Sequence, residues 1–176
     1  MRSFLICLLA TAAVASAQDN PLSAFTRRVY ARDKNILLRS AEKVPEEYYS
    51  FRPTDAVRSF GQLIGHLADS QYEFCSPVVG GQVPAPNVEK TKTSKADLIA
   101  ALKEGFAYCD KAYDGLTDAN AAEAVKFFGR EAPKMGVLIQ NSLHNQEHYG
   151  NLVTYMRMKN IVPPTSEPAP SRQPKK

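Results

Sequence analysis

The sequence predicts an all-α fold: a four-helix bundle with a long crossover between helices two and three. Three observations lead there. Apolar residues recur every three or four positions in four stretches, and no stretch alternates apolar with polar residues as a half-buried strand would. Capping residues, prolines and glycines punctuate those stretches at their ends. The second connection is long. The 16 residues from Pro77 to Lys92 can span a helix length at about 3.3 Å each, so helices two and three can run parallel.

The first helix runs from about Pro21 to Lys43, with Asn20 as its cap and Phe25, Val29, Ile36 and Leu37 as its apolar stripe. Pro45 ends it. The second starts at Thr54 or Asp55 and runs to about Ser76, with Val57, Phe60, Leu63, Ile64, Leu67 and Phe74 at helical spacing. Pro77 and Gly80-Gly81 stop it, and the connection that follows reads as structureless. Ser94, with Asp97 three residues on, opens a third helix to about Tyr113, striped by Leu98, Leu102, Phe106 and Cys109. The fourth runs from about Pro133 to Lys159. Asn160 suits the left-handed position beyond it.

The two ends read differently. Arg2, an apolar run from Phe4 to Val14 and Ala15-Ser16-Ala17 form a secretory signal pattern over residues 1–17, with the bundle at 18–162. From Pro163 the chain is proline-rich without apolar periodicity, which reads as a disordered tail over 163–176. The expected location is periplasmic or secreted, with no membrane attachment after cleavage.

Composition narrows the function classes. The chain has 176 residues, 44% of them apolar, and a net charge of +4. That suits one globular domain and excludes wholesale disorder and a polytopic membrane protein. No basic tract inside the fold suggests nucleic acid as a partner.

Cys75 and Cys109 remain after leader removal, near the C-terminal ends of helices two and three. Parallel helices bring them to one height, and an oxidising compartment then favours a Cys75–Cys109 disulfide. Two buried free thiols are the alternative.

His66, His144 and His148 are the three histidines of the chain. His144 and His148, four apart, share one helix face with Val137, Asn141 and Tyr155. Counted from Asp55 and Pro133, His66 and His144 are both twelfth in their helices, so all three lie near mid-height and can converge as an open metal site. Ordinary hydrogen-bonded histidines are the bland alternative. The spacing His144-x-x-Glu147-His148 matches an inverted zinc-peptidase pattern. On a regular helix, however, Glu147 points roughly 80° away from the histidine pair.

The segment Phe60-Gly61-Gln62-Leu63-Ile64-Gly65-His66-Leu67-Ala68 and the run from His144-Asn145-Gln146-Glu147-His148-Tyr149-Gly150 to Pro163-Pro164 carry a resemblance. Together they resemble the DinB/YfiT-like family of metal-binding four-helix bundles, over residues 20–164. The resemblance implies parallel middle helices. It also implies a divalent ion, zinc or nickel before iron or manganese, held by His66, His144 and His148. It implies a homodimer too, for which the broad apolar surface of helix four (Leu138, Ile139, Leu143, Tyr149, Leu152, Val153, Met156) supplies a second face. Family members include transferases and isomerases that use bacillithiol or mycothiol. Such thiols belong to a reducing cytosol, so an exported chain is not expected to use them.

The expected function is an exported three-histidine metal protein, acting as a metal-dependent hydrolase or transferase on a small-molecule substrate. A non-catalytic metal-binding or stress-related structural protein is the alternative. Asp69, one turn beyond His66, and Tyr155, two turns beyond His148, are candidates to orient a ligand or pass a proton.

Overall fold

A computed structural model of the chain describes residues 20–168. The signal pattern over 1–17 and the tail residues 169–176 lie outside the described residues. Four long helices form the bundle: α1 (Pro21–Lys43), α2 (Phe60–Val79), α4 (Lys95–Asp114) and α5 (Lys134–Met158). A four-residue helix, α3 (Val88–Thr91), lies in the crossover, and a hairpin, β1 (Ala124–Phe127) and β2 (Arg130–Pro133), precedes α5.

The contacts fix the directions. Gly61 abuts Leu98, Gly105 abuts the Ala68 carbonyl, and the Cα atoms of Cys75 and Cys109 lie 5.2 Å apart, so α2 and α4 run parallel. Tyr155 reaches back to Arg58, while Asn145 and Asn141 reach Gln71, so α5 runs antiparallel to α2. Tyr30 and Lys34 meet Asp110, and Ser23 meets Asp118, so α1 opposes α4. The topology is up, down, down, up, with the long crossover where the sequence expected it. The core of Leu37, Ile64, Leu67, Leu102, Phe106 and Leu152 is almost fully buried.

Several local expectations are corrected. Helix α2 begins at Phe60, not at Thr54 or Asp55. Ser59 and Gln62 form a reciprocal capping box there, and Val57 is exposed. The same helix passes through Pro77 to Val79, because a proline in the last turn costs one N–H donor opposite exposed Glu73. On α1 the expected Phe25 is 60% exposed. Ile36 and Leu37 are buried as expected, but they share that face with Ser23, Thr26, Tyr30, Asp33 and Ser40. Thr26 and Ser40 can be buried because their hydroxyls bond the carbonyls of Leu22 and Ile36. Asn20 takes the N-cap position of α1 as expected, but its side chain makes no cap bond there; the Asp118 carboxylate accepts from the N–H groups of Leu22 and Ser23 instead.

The hairpin was not expected. Its two strands are only four residues long, and its tip, Phe128-Gly129, has positive φ at both positions, the geometry of a type I′ turn. The chain from Pro163 does not begin as a solvated extension. Pro164 is buried, Tyr149 and Thr165 hydroxyls lie 2.8 Å apart, and Glu167 pairs with Lys43 at 2.6 Å and with Arg39. No helix among the described residues is long and apolar enough to cross a membrane.

Candidate metal centre

Helices α2 and α5 place the three histidines. His66 is the seventh residue of α2, nearer its start than the expected twelfth, because the helix begins later. His144 and His148 occupy adjacent turns in the middle of α5. His144 Nε2 stands 3.1 Å from His66 Nε2 and 3.1 Å from His148 Nε2. Ligand atoms of the three rings all lie within 4.8 Å of one another.

This donor set fits a divalent ion. A ring nitrogen carries either a proton or a lone pair, so His144 Nε2 cannot satisfy two neighbouring Nε2 atoms by hydrogen bonding. A cation accepting the lone pairs of all three rings would satisfy them together. Imidazole nitrogens about 2.0–2.1 Å from an ion stand roughly 3.4 Å apart at tetrahedral angles and roughly 2.9 Å apart at octahedral ones. The two 3.1 Å separations from His144 lie between these values, so they fit several divalent metals.

The surroundings keep the rings neutral, as ligation requires. Burial, followed by the Arg58 charge, lowers the pKa of His66. Burial and the two neighbouring imidazoles push His144 down to about 3. Burial, then His66, lowers His148.

The outer nitrogens differ. His66 Nδ1 faces Glu89 Oε2 at 3.2 Å, and Arg58 Nε donates to Glu89 Oε1 at 2.8 Å. The Asn151 amide lies 3.4 Å from His148 Nδ1. His144 Nδ1 is buried without a partner among the described residues, and the Phe74 ring packs 5.2 Å from its ring centroid. Beyond the histidines, Gln71, Asn145 and Asn141 close a buried ring of amides. Gln71 donates to Asn145 at 2.9 Å, Asn145 to Asn141 at 2.8 Å, and Asn141 back to Gln71 at 3.2 Å. This ring ties α2 to α5 in register, which aligns His66 with His144 and His148.

The structure brings the three predicted ligands together but places the other two candidates one step away. Both Asp69 oxygens accept backbone N–H groups, from Val88 at 2.8 Å and Glu89 at 3.0 Å. The Tyr155 hydroxyl donates to the Arg58 carbonyl at 2.9 Å. Each is committed to backbone and stands beside the Glu89–Arg58 pair rather than among the ligands. Sequence reading missed both members of that pair. Arg58 fell in a stretch read as helix, and Glu89 in a stretch read as structureless, with nothing in spacing to connect them.

A cleft of about 620 Å³ opens beside His148, lined by Arg52, Arg58, Glu147, Asn151 and Tyr155. A smaller one of about 240 Å³ lies between His66 and the crossover.

Residues 30–152 match the DinB superfamily. The chain belongs to the DinB superfamily. YjoA of Bacillus subtilis (strain 168), an uncharacterized protein, is 25% identical over 127 residues, 70% of this chain and 82% of YjoA. The crystal structure of YjoA aligns with a TM-score of 0.61 at 23% identity, covering 76% of this chain and 92% of that one. A DinB-like protein from Bacillus cereus aligns with a TM-score of 0.67 at 16% identity, over 79% and 93% of the two chains. The mycothiol-dependent maleylpyruvate isomerase aligns with a TM-score of 0.60 at 16% identity, over 77% of this chain and 66% of the isomerase. At these identities the structural likenesses show the fold that this DinB superfamily member shares.

Proposed function

We propose that this chain is an exported metal-dependent enzyme, a hydrolase or group transferase, whose divalent ion is held by His66, His144 and His148. The grouping of the three rings carries the reading, with His144 Nε2 standing 3.1 Å from Nε2 of both His66 and His148 and all three ligand atoms within 4.8 Å of one another. When bound, zinc, nickel or a similar ion supplies Lewis acidity that activates water near neutral pH and polarises a substrate oxygen. The neutral rings hold the ion, and the amide ring beneath them fixes their spacing. The cleft beside His148 admits the substrate, with Arg52, Arg58 and Asn151 available to orient its polar groups. A cleft that reaches His148 leaves room for substrate beside the ligands, which favours an enzyme over a closed structural metal site.

The mycothiol dependence named for the isomerase is not carried over, because export would remove the chain from a reducing thiol pool. Export also fits a Cys75–Cys109 disulfide, supported by a Cα separation of 5.2 Å between two buried cysteines. We further infer a homodimer that covers Leu22, Phe25, Ile139 and Leu143, which are 44–62% exposed. This face is narrower than helix four alone suggested, since Leu138, Tyr149, Leu152 and Met156 are spent on the chain's own core. A monomeric mass by light scattering would contradict it.

Turnover of a panel of esters, amides and phosphoesters tests the activity. Hydrolysis that chelation abolishes and zinc or nickel restores is expected. No metal-dependent turnover on any class would favour the non-catalytic alternative.

A further inference from the structure

One carboxylate outside the histidine cluster is held by unusually many neighbours. Glu89 sits on α3, the four-residue helix within the crossover. Asp69 fixes its backbone through the two N–H bonds to Val88 and Glu89. Gly65 lets α3 approach closely, since a Cβ there would stand 2.7 Å from Glu89 Cα and 2.9 Å from its nitrogen. Val88 anchors the same turn and is 3% exposed. On the other side, Arg58 grips Glu89 Oε1 and is tethered through its own carbonyl to Tyr155 of α5. All these contacts present Oε2 to the outer nitrogen of His66.

A neutral imidazole has one N–H, and the nitrogen that carries it cannot ligate. A carboxylate that accepts from Nδ1–H therefore leaves the Nε2 lone pair for a metal and increases its basicity. Among the described residues, neither His144 nor His148 faces a carboxylate at Nδ1. The charge also matters, because three neutral imidazoles leave the full charge of a divalent ion uncompensated.

We propose that Glu89 is a positioning residue: seated by Asp69, Gly65 and Arg58, it keeps the proton of His66 on Nδ1 and so turns the Nε2 lone pair toward the divalent ion. This rests on the three-histidine metal reading above. It gives the crossover a task beyond connecting two parallel helices, and it accounts for Asp69 and Tyr155, which act on backbone at one remove from the site.

The test compares zinc affinity of the metal-stripped full chain, by competition with a chromophoric chelator, among wild type, Glu89→Gln and Glu89→Ala. Glu89→Ala is expected to bind zinc about 10–100-fold more weakly. Glu89→Gln should fall between, since its amide oxygen still accepts the Nδ1–H but carries no charge. In the zinc-loaded wild type, nitrogen NMR should place the remaining His66 proton on Nδ1. Thermal unfolding of the three metal-free proteins should coincide, which separates positioning from a folding defect. Glu89→Ala binding zinc within twofold of wild type, or His66 without an Nδ1 proton, would overturn the role of Glu89. A wild type that binds no zinc would overturn the metal reading, and the role of Glu89 with it.

Discussion

His144 is the most constrained residue of the site. Its Nε2 meets two other imidazole nitrogens, and its ring packs on Phe74. The residue types of the ligand set were legible in the sequence, because only three histidines exist and two share a helix face. Their supports were not. Glu89 is a single acidic residue in a loop-like stretch, and its meaning depends on an approach of α3 to Gly65 that no local pattern encodes. Asp33 shows the same limit on α1. It is fully buried against Gln146, and burial raises its pKa from 3.8 to about 6. The folded state therefore favours the protonated form. That stabilising contribution is complete below about pH 4 and is lost as pH rises through about 6. Asp33→Asn should accordingly be more stable than wild type at pH 7, by about 1–3 kcal/mol, with the gap closing toward pH 4. Denaturant unfolding at both pH values checks this. A gap that stays constant or widens on acidification would contradict it.

At the scale of elements, the helices were legible and their exact starts and buried faces were not. Ser94 and Asn160 serve as the sequence suggested, as cap of α4 and left-handed residue after α5. Periodicity misplaced the start of α2 because Val57 continues the apolar spacing while Ser59 and Gln62 supply the stronger cap. It misread the N-terminal half of the α1 face because buried Ser and Thr residues that bond their own helix look polar in a pattern. The close α2–α4 contact also escapes such patterns, since it depends on small residues. A Cβ at Gly105 would stand 2.8 Å from the Ala68 carbonyl, whereas one at Gly150 of α5 would meet nothing within 4 Å. Gly105→Ala should therefore destabilise the bundle by about 1–3 kcal/mol through overpacking. Gly150→Ala should be neutral or stabilising by up to about 1 kcal/mol through helix propensity. Parallel denaturant titrations decide it, and equal effects at the two positions would remove the close-packing argument.

At the scale of the molecule, the crossover was legible because a long connection and two cysteines demanded the same parallel arrangement. The ordered start of the tail was not, since Pro163-Pro164 looks identical in sequence whether it docks or extends. Nor was the hairpin, whose tip puts Phe128 rather than the favoured Asn or Asp in a left-handed conformation. The proposed disulfide joins residues 34 apart in sequence. By loop-closure entropy it should stabilise the fold by about 3–4 kcal/mol. Thiol alkylation under denaturing conditions should add no mass to Cys75 or Cys109 until a reductant is supplied. Alkylation without reduction would establish two free thiols.

Three imidazoles from two helices, His66, His144 and His148, are proposed to hold one divalent ion. Elemental analysis of the chain purified from its native compartment tests it most directly, with a His144→Ala/His148→Ala variant prepared in parallel. About one zinc, nickel or related divalent ion per wild-type chain is expected, with that metal lost in the folded variant. No stoichiometric metal in the wild type, or the same metal content in the variant, would contradict it.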